Sequence, residues 1–539
     1  MQLSGGRLLA RFLRDAGMTH LFTLSGGHIM EIYEGCAEIG IPVIDFRHEQ
    51  AAGFAAEAAA RLTRKIGVCA VTAGPGVMNV VTAVANAWRS QTPMIVIGGQ
   101  AALPMLGKGA LQEMDHVAVM KPITKWSVQV TSQNELAEYV RRAVTAATTG
   151  VMGPVFLECP MDILFDRAEK PYTPLELETH SSTILTDEIV QKVAEILTQA
   201  QRPVLLIGSQ ILFSPHAPHM RSILEQLSLP VYTSGMARGL LGEVHPLLFL
   251  HSRKLALAQA DAVILAGVPL DFRLNYGMSI SEEAQLIRID RDETEIGRNR
   301  PAQVGAVGDP GEFLHSLSKS FSPPPHKWHE WKNTLLSEEQ RRQEQIVAEA
   351  ASSTRPVNPL RLCLEVNKML TPNSIVIGDG GDIVGSAAYT IRPRGIAQWL
   401  DAGPLGTLGA GAPYAIAAKL IFPEKDVWVI FGDGAFGLNG MEYDTAVRFN
   451  LPFIGVVGND AAWTQIKRAQ IPMYGHAIAT ELLPTRYDKM VEALGGWGAY
   501  VEDTEALPEA LEAAKASGKP ALVNVRISET DFRKGSISM

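Results

Sequence analysis

The sequence predicts an α/β protein of three domains, each built on a doubly wound parallel sheet. Its 539 residues leave room for three domains of about 100–200 residues. Short apolar runs alternate with helical patterns along three stretches, which is typical of parallel sheets covered by helices. Polar, proline-bearing connections separate these stretches. We place the domains at residues 1–165, 187–318 and 356–530, followed by a terminal segment at 531–539.

Each predicted domain has recognisable strands in chain order. In the first, an amphipathic helical pattern from Met1 to Gly17 leads into a strand at 21–24. The remaining apolar runs that we assign to strands lie at 67–71, 203–208, 262–267, 286–290, 374–378, 427–431, 451–457 and 521–527, and the first domain closes with the stretch 153–162. A charged helical stretch within 320–355 connects the second and third domains.

Composition and charge narrow the function classes. Hydrophobic residues make up 46% and charged residues 19% of the chain, as in an ordinary globular enzyme, and no apolar run approaches the roughly 18 residues of a membrane span. The amino terminus lacks the apolar core of a signal peptide, so we expect a cytoplasmic protein. A net charge of −9 argues against a nucleic-acid partner.

The four cysteines show no metal-binding spacing. They are scattered at Cys36, Cys69, Cys159 and Cys363, and two of them lie in apolar runs. We therefore expect buried free thiols rather than disulfides or metal ligands.

Two turns in the third domain carry the polar residues that indicate chemistry. Gly432-Asp433-Gly434 follows one apolar run, and Gly458-Asn459-Asp460-Ala461 follows the next. Turns that follow neighbouring strands of a parallel sheet lie at its carboxyl edge, where such folds bind ligands. A carboxylate and an amide oxygen at that edge can hold one hard cation, Mg²⁺ or Ca²⁺, against a diphosphate.

This pair of turns resembles the thiamine diphosphate motif, in which GDG is followed further along the chain by two asparagines. Gly458 stands at the first asparagine position here, and Asn459 stands at the second, the one that binds metal. The resemblance implies Asp433 and Asn459 as side-chain metal ligands and the Ala461 carbonyl as a third. It also implies contacts between the cofactor and Gly432, Gly434 and the backbone N–H groups of Ala435 and Phe436.

A second signature lies in the first domain. Glu49 opens a helix rich in small residues, and the strand that follows ends in Thr72-Ala73-Gly74-Pro75-Gly76, with Asn79 nearby. This arrangement resembles the pyrimidine-binding half of thiamine diphosphate enzymes. The resemblance implies that Glu49 binds the pyrimidine ring and promotes proton transfer through it. It implies further cofactor contacts from Gly27, Thr72, Gly76 and Asn79.

The segment Gly406-Thr407-Leu408-Gly409 matches another part of the family pattern. There, a bulky side chain supports the bent cofactor, and a carbonyl accepts a hydrogen bond from its amino group. Leu408 and the Gly406 carbonyl correspond to these groups. From the residues alone, an ordinary core role for Leu408 stays open.

Resemblances outside the cofactor motifs extend along essentially the whole chain. The segments 236–241, 260–277 and 289–300, with 435–452, are similar to 2-hydroxyacyl-CoA lyases and oxalyl-CoA decarboxylases. The decarboxylases have a Tyr-Glu pair where this chain has Leu111-Gln112, which argues against that specificity. Gln112 instead matches the lyases and acetolactate synthases; a capping or interface role for it remains open.

The resemblance implies a thiamine diphosphate- and Mg²⁺-dependent lyase that cleaves 2-hydroxyacyl-CoA to formyl-CoA and a ketone or aldehyde, or runs the reverse condensation. Glu49, Gln112 and His28 are the candidate catalytic residues; a capping role for His28 is the alternative. The candidate contacts to substrate or CoA are Arg238, Arg298, Trp463, Arg533 and Lys534, the last two on a tail that is a candidate lid. Ordinary surface ion pairs and a frayed chain end are the alternatives for these arginines and for the tail.

Three other functions stay open from the sequence. One is an acetolactate synthase-like carboligase acting on pyruvate, another an oxalyl-CoA decarboxylase-like enzyme, and the third a non-catalytic subunit with a decayed site. The middle domain is a candidate site for ADP or CoA, while FAD is not expected. In this family the two cofactor-binding domains of one site come from different subunits, so the resemblance implies a homodimer or homotetramer.

Overall fold

The computed structural model describes residues 3–167, 171–177 and 186–530. The chain forms two compact units. The first unit consists of Met1–His180, Ala402–Pro423 and Gly437–Pro452. The second unit consists of Ser181–Asp401, Glu424–Phe436 and Phe453–Met539. We predicted the third domain as one continuous stretch, 356–530. Two parts of that stretch, 402–423 and 437–452, belong to the first unit.

The first unit contains a six-stranded parallel sheet with the order β2-β1-β3-β4-β6-β5. Its strands are β1 (Leu21–Thr23), β2 (Val43–Asp45), β3 (Gly67–Val71), β4 (Met94–Gln100), β5 (Trp126–Gln129) and β6 (Pro154–Pro160). The helices are α1 (Gly5–Asp15), α2 (Met30–Glu38), α3 (Glu49–Thr63), α4 (Pro75–Arg89), α5 (His116–Met120), α6 (Leu136–Thr148) and α7 (Met161–Phe165). The central strands β3, β4 and β6 are wholly buried, as expected for a sheet that is covered on both faces, whereas the edge strands β2 and β5 are mostly half-buried.

Helix α3 has identifiable start and stop residues. His48 is its N-cap in extended conformation, and the backbone of Arg64 turns left-handed at φ +60° to end it. A run of alanines gives α3 a strong intrinsic helix propensity. The small side chains keep the helix narrow, and almost all of its residues are buried. At Gly53 a Cβ atom would lie 2.6 Å from the Cβ of Ala83, so this glycine permits the close approach of α3 and α4.

The second unit contains two parallel sheets. The five-stranded one has the order β11-β10-β9-β7-β8. Its strands are β7 (Pro203–Ile207), β8 (Val231–Thr233), β9 (Ala262–Ala266), β10 (Gln285–Asp290) and β11 (Val304–Val307). The helices of this part are α8 (Asp187–Gln199), α9 (Met220–Leu227), α10 (Arg253–Gln259), α11 (Glu293–Ile296), α12 (Pro310–Ser320) and α13 (His329–Ala350).

The six-stranded sheet of the second unit has the order β13-β12-β14-β15-β17-β16. Its strands are β12 (Ser374–Asp379), β13 (Trp399–Asp401), β14 (Asp426–Gly432), β15 (Ile454–Asn459), β16 (Trp497–Val501) and β17 (Ala521–Arg526). The helices from this part of the chain are α14 (Pro359–Met369), α15 (Asp382–Thr390), α16 (Gly411–Ile421), α17 (Asp433–Asn439), α18 (Glu442–Arg448), α19 (Thr464–Tyr474), α20 (Tyr487–Ala493) and α21 (Leu507–Ala516). Of these, α16 and α18 belong to the first unit. The prediction of three parallel α/β sheets is therefore confirmed.

Strands β14 and β15 are neighbours in this sheet. Gly432 pairs with Gly458 in parallel register, so the residues that follow them, Asp433 and Asn459, lie at the same edge of the sheet. This confirms the predicted proximity of the two turns.

All four cysteines are free and buried, as predicted. Burial raises the pKa of the Cys69 thiol to about 12, so it stays protonated and behaves as a small apolar residue. No helix in the described part of the chain is long and apolar enough to cross a membrane. The cytoplasmic location stays a prediction.

Candidate active site

The predicted site residues fall into two groups, which we name by their carboxylates. The Glu49 half-site lies in the first unit and comprises Glu49, Asn79, the turn 72–76, His28 and Gln112. The Asp433 half-site lies in the second unit and comprises Asp433, Asn459, Ala461, Gly434 and Trp463.

Glu49 is a buried carboxylate at the first position of α3, with 6% of its surface exposed. Asn79 Nδ2 donates to its Oε2 at 3.0 Å. The other oxygen, Oε1, lies 3.6 Å from the point where a Cβ on Gly76 would stand. The absence of a side chain at Gly76 therefore leaves space beside Oε1. One oxygen is held by Asn79 while the other faces that space.

The turn 72–76 is held by a buried histidine. Gly74 has φ +59°, and its backbone N–H donates to His116 Nε2 at 2.8 Å. Since Nε2 is the acceptor, the proton lies on Nδ1, which donates to Glu158 Oε1 at 2.7 Å. The sequence analysis did not identify His116, because the histidine belongs to no motif and has no characteristic spacing from the other candidate residues.

Gln112 lies against this turn, as its candidate role requires. Its own backbone has φ +62°, and a Cβ on Gly74 would lie 2.8 Å from the Gln112 Cβ. Glycine at position 74 therefore permits the loop that carries Gln112 to approach. The structure brings Gln112 and the turn together, and its catalytic role stays a prediction.

His28 is the third candidate of this half-site. The imidazole is almost fully buried, and its Nδ1 lies 2.8 Å from the Thr72 hydroxyl. Burial, with a smaller effect from the nearby His116, lowers the His28 pKa below its ordinary value. The ring is therefore neutral near pH 7, and one nitrogen is free to accept a proton.

The segment with Leu408 is also part of the first unit. Gly406 is exposed and adopts φ +68°, which favours glycine there. Leu408 is half-buried rather than fully enclosed, so part of its side chain faces open space. Its role as a support for the cofactor stays a prediction.

Asp433 is the buried carboxylate of the second group, 3% exposed. Its Oδ1 accepts from the Gly434 N–H and its Oδ2 from the Ala461 N–H, both at 2.8 Å. Burial first, and then the neighbouring Asp460, raise the Asp433 pKa to about 6. The backbone hydrogen bonds oppose this shift but do not cancel it. A bound cation would supply the missing positive charge.

Asn459 has an oxygen without a partner. Its side chain is fully buried, and Nδ2 donates to the Thr485 carbonyl and to Asn524 Oδ1, each at 3.1 Å. Its Oδ1 accepts no hydrogen bond from any residue that the structure describes. Buried polar atoms are rarely left unsatisfied, and an amide oxygen is a ligand that Mg²⁺ and Ca²⁺ accept.

The donor set fits a hard cation: a carboxylate, an amide oxygen and the carbonyl of Ala461. Ala461 adopts φ +61°. Its carbonyl already accepts from the Leu482 N–H at 2.7 Å, which leaves one lone pair for a metal. Asp433, Asn459 and Ala461 therefore suit the predicted cation, and its identity as Mg²⁺ stays a prediction.

Trp463 covers the GDG turn. A Cβ on Gly434 would lie 2.3 Å from the Trp463 indole, so any side chain at position 434 would displace that ring. Phe436 lies behind the turn, buried and edge-to-face against Phe431 at 5.4 Å. The structure thus brings Trp463 to the Asp433 half-site, and its predicted contact with the substrate stays a prediction.

The second unit also contains an arginine cluster that sequence reasoning missed in part. We define it as Arg238, Arg253, Arg273 and Arg392. Arg273 is paired bidentately with Asp271, and Arg238 donates to the Ala388 carbonyl and lies over the Trp399 ring. Arg253 forms no hydrogen bond or ion pair with residues 3–167, 171–177 or 186–530. Burial and neighbouring guanidinium groups lower the pKa values of Arg238 and Arg253.

Arg253 lies at a position that is unfavourable for a cation. It is the first residue of α10, where the helix dipole disfavours a cation. A half-buried guanidinium in that position, without a carboxylate, is costly unless an anion binds it. By contrast, Arg298 is 45% exposed and paired with Glu295 at 2.6 Å. Arg533 and Lys534, with the rest of the tail, lie outside the described residues.

Three family models match successive parts of the chain. The N-terminal TPP binding domain of thiamine pyrophosphate enzymes matches residues 3–119, the central domain 190–317 and the C-terminal TPP binding domain 379–525. The chain belongs to the thiamine pyrophosphate enzyme family. This confirms the resemblance derived from the two motifs and the thiamine diphosphate prediction. The roles of single residues stay predictions.

Several relatives share nearly the whole chain. The "2-hydroxyacyl-CoA lyase 2" of Danio rerio is 40% identical over 582 aligned positions, covering 99% of this chain and 93% of the relative. The human protein of the same name is 38% identical, covering 99% and 92%. The "Acetolactate synthase large subunit IlvG" of Mycobacterium tuberculosis is 39% identical, covering 97% and 95%. Similarity alone therefore does not separate the lyase from the carboligase.

Proposed function

We propose that the chain is a thiamine diphosphate- and Mg²⁺-dependent lyase that cleaves 2-hydroxyacyl-CoA to formyl-CoA and a ketone or aldehyde, or runs the reverse condensation. The surroundings of Arg253 favour an acyl-CoA substrate over pyruvate. Its guanidinium has no carboxylate partner in the described part of the chain, and the arginines Arg273 and Arg238 lie near it. An anion with several charges, such as the phosphates of CoA, suits this cluster. Pyruvate has a single carboxylate and does not need it.

Glu49 is the proposed proton-handling residue. When bound, the cofactor would supply a nucleophilic carbon that can add to a carbonyl carbon and so promote cleavage of the neighbouring carbon–carbon bond. The Glu49 Oε1 faces the space beside Gly76 and is placed to hold a proton in a hydrogen bond with the pyrimidine ring. Asn79 fixes the other oxygen, so the carboxylate has one orientation.

His28 and Gln112 act on the substrate in this proposal. His28 is neutral near pH 7, so a ring nitrogen can take the proton of the 2-hydroxyl group. Gln112 is uncharged and lies against the 72–76 turn, where its amide can orient a hydroxyl or carbonyl oxygen. A neutral amide does this without repelling negative charge on the reacting carbon.

The two half-sites lie in different compact units of the chain. We propose that the Glu49 half-site of one chain completes the Asp433 half-site of a second chain, so that a homodimer is the smallest active form. A homotetramer would consist of two such pairs. The terminal segment with Arg533 and Lys534 lies outside the described residues, and its role as a lid over bound CoA stays a proposal.

The second candidate is the acetolactate synthase-like carboligase, favoured by the relative of that name. A diphosphate-bearing flavin would also suit an arginine cluster, and it would colour the purified protein yellow. The oxalyl-CoA decarboxylase is disfavoured because Leu111 and Gln112 stand where that group has Tyr and Glu.

Mass spectrometry of the products tests the proposal. The holoenzyme with thiamine diphosphate and Mg²⁺ is given 2-hydroxyisobutyryl-CoA in one tube and pyruvate in another. We expect formyl-CoA and acetone in the first tube and no acetolactate in the second. Acetolactate without formyl-CoA would instead establish the carboligase.

A further inference from the structure

Glu442 is a buried carboxylate of the first unit that the proposed reaction does not use. It opens α18 and has 1% of its surface exposed. Its two oxygens lie 3.1 and 3.2 Å from the donating backbone N–H of Arg47, and Oε2 accepts the Thr445 hydroxyl at 2.6 Å. The backbone N–H of His48 also donates to it. Two of these donors belong to the residues directly before Glu49.

Neighbouring side chains hold the two ends of the same stretch, 45–50. Arg448 donates to both carboxylate oxygens of Asp45 at 3.0 Å and to its carbonyl at 2.7 Å. Asn439 donates to Gln50 Oε1 at 3.2 Å. Glu442 lies between them and holds the middle of the stretch. Residues 439–448 therefore contact 45–50 at three points, although Arg47 and Glu442 are 395 positions apart in the chain.

We propose that Glu442 is a positioning residue for Glu49, acting through the backbone N–H groups of Arg47 and His48. These N–H groups precede α3, and their direction sets where the helix begins. Because Glu49 is the first residue of that helix, its side chain leaves the backbone in the direction that Glu442 imposes. A small displacement at a catalytic group costs orders of magnitude in rate. The inference rests on the proposed role of Glu49.

The chemistry of the contact requires a carboxylate. Arg47, His48 and Thr445 all present donors to Glu442, and a carboxylate accepts with both oxygens. Burial raises the Glu442 pKa to about 7, while these donors and the nearby Arg448 act to lower it. A glutamine of the same shape keeps one acceptor but directs an N–H₂ group at a donor.

Amide hydrogen exchange of the apoprotein measures the contact without the cofactor. The variants are Glu442→Gln and Glu442→Leu. The matched control is Glu365→Gln, a carboxylate 4% exposed on α14 of the second unit that is paired with Arg361 and Lys368. Exchange is followed by mass spectrometry in a peptide covering 45–52, and kcat and KM are measured on the holoenzyme of each variant.

We expect exchange at Arg47 and His48 to rise in both Glu442 variants, more in Glu442→Leu, and to stay unchanged in Glu365→Gln. We expect kcat to fall by about tenfold or more while KM for the acyl-CoA changes by less than about twofold, because binding groups elsewhere are untouched. Should Glu442→Leu not fold, Glu442→Gln gives the same two readouts.

Two results would overturn the proposal. One is unchanged exchange at Arg47 and His48 in the Glu442 variants. The other is faster exchange with an unchanged kcat, which would make the contact structural only. Failure of the proposed function is seen separately, because a Glu49→Gln variant with full turnover removes the role of Glu49 while leaving the exchange result intact.

Discussion

The Glu49 and Asp433 half-sites differ in how far their polar groups are satisfied. In the Glu49 half-site, Asn79 holds Glu49, Thr72 contacts His28, and His116 holds Gly74. In the Asp433 half-site, Asn459 Oδ1 has no partner among the described residues, and the Asp433 pKa is raised to about 6. The first half-site is already organised by its own hydrogen bonds, which suits the phosphate-free ring that we propose it binds. The second stays incomplete until positive charge is supplied.

The largest expected effect is at Glu49, because it is the proposed proton-handling residue of the organised half-site. Glu49→Gln keeps the size and the Asn79 contact but removes the charge. We expect kcat to fall by about 10²–10⁴-fold, the contribution of general acid–base catalysis, with little change in thermal stability. Steady-state assays at saturating cofactor measure it. Turnover within about twofold of the parent would exclude the role.

The next effect concerns cation binding to the Asp433 half-site. A hard cation needs the ionised carboxylate, and the Asp433 pKa lies near 6, above its ordinary value. Protons therefore compete with the cation below about pH 6, and Mg²⁺ affinity should fall about tenfold per pH unit there. Titration calorimetry with thiamine diphosphate present, between pH 5 and 7.5, measures this. Asp433→Asn should lose the pH dependence along with most of the affinity.

The raised Asp433 pKa also determines how the stability of the protein depends on pH. A carboxyl group with a raised folded-state pKa favours folding in its protonated form, so the cation-free protein loses this contribution as pH rises from about 4 to 6. Bound Mg²⁺ stabilises the ionised Asp433 carboxylate and therefore offsets this loss of stability. We therefore expect the increase in Tm on adding Mg²⁺ and thiamine diphosphate to grow between pH 5 and 7. An increase that shrinks over this range contradicts the account.

A smaller effect tests the packing of the GDG turn. Gly434→Ala places a Cβ 2.3 Å from the Trp463 ring, which must shift. Overpacking of this kind costs about 1–3 kcal/mol, and we expect a lower Tm together with weaker cofactor binding. Trp463→Leu in the same chain should restore part of the stability. If the double variant is no more stable than Gly434→Ala, the indole is not the obstacle.

The smallest expected effect is at Arg253 in the arginine cluster. Arg253→Gln removes a cation that has no carboxylate partner in the described chain, so stability should stay the same or rise slightly. The KM for the acyl-CoA should rise by about tenfold, the loss of one charge-assisted contact, with kcat nearly unchanged. Arg341→Gln, a surface arginine paired with Glu338, is the matched control. Equal KM values for the two variants would remove Arg253 from the substrate site.

The sequence was most informative where function depends on short local patterns. The GDG turn, the second turn with Asn459, and Glu49 before an alanine-rich helix are all read from consecutive residues, and the parallel register of β14 and β15 brings the two turns together. Alternating strands and helices were enough to predict three parallel sheets, because covered parallel strands are continuous apolar runs.

What the sequence did not reveal depends on contacts between distant positions. The Glu442 contact joins residues 395 positions apart, and the arginine cluster combines positions from 238 to 392. The inclusion of 402–423 and 437–452 in the first unit was equally hidden. No local pattern encodes these contacts, because the contacting residues are far apart in the chain and lie in no shared motif.

Complementation between two inactive variants tests most directly whether the half-sites form one active site. Chains with Glu49→Gln are mixed with chains carrying Asp433→Asn, dissociated and reassembled, and formyl-CoA release is measured. If sites form between chains, each mixed dimer keeps one intact site, and an equal mixture should regain about one quarter of the parent activity. No activity above that of the separate variants, with mixed dimers confirmed by native mass spectrometry, would contradict the account.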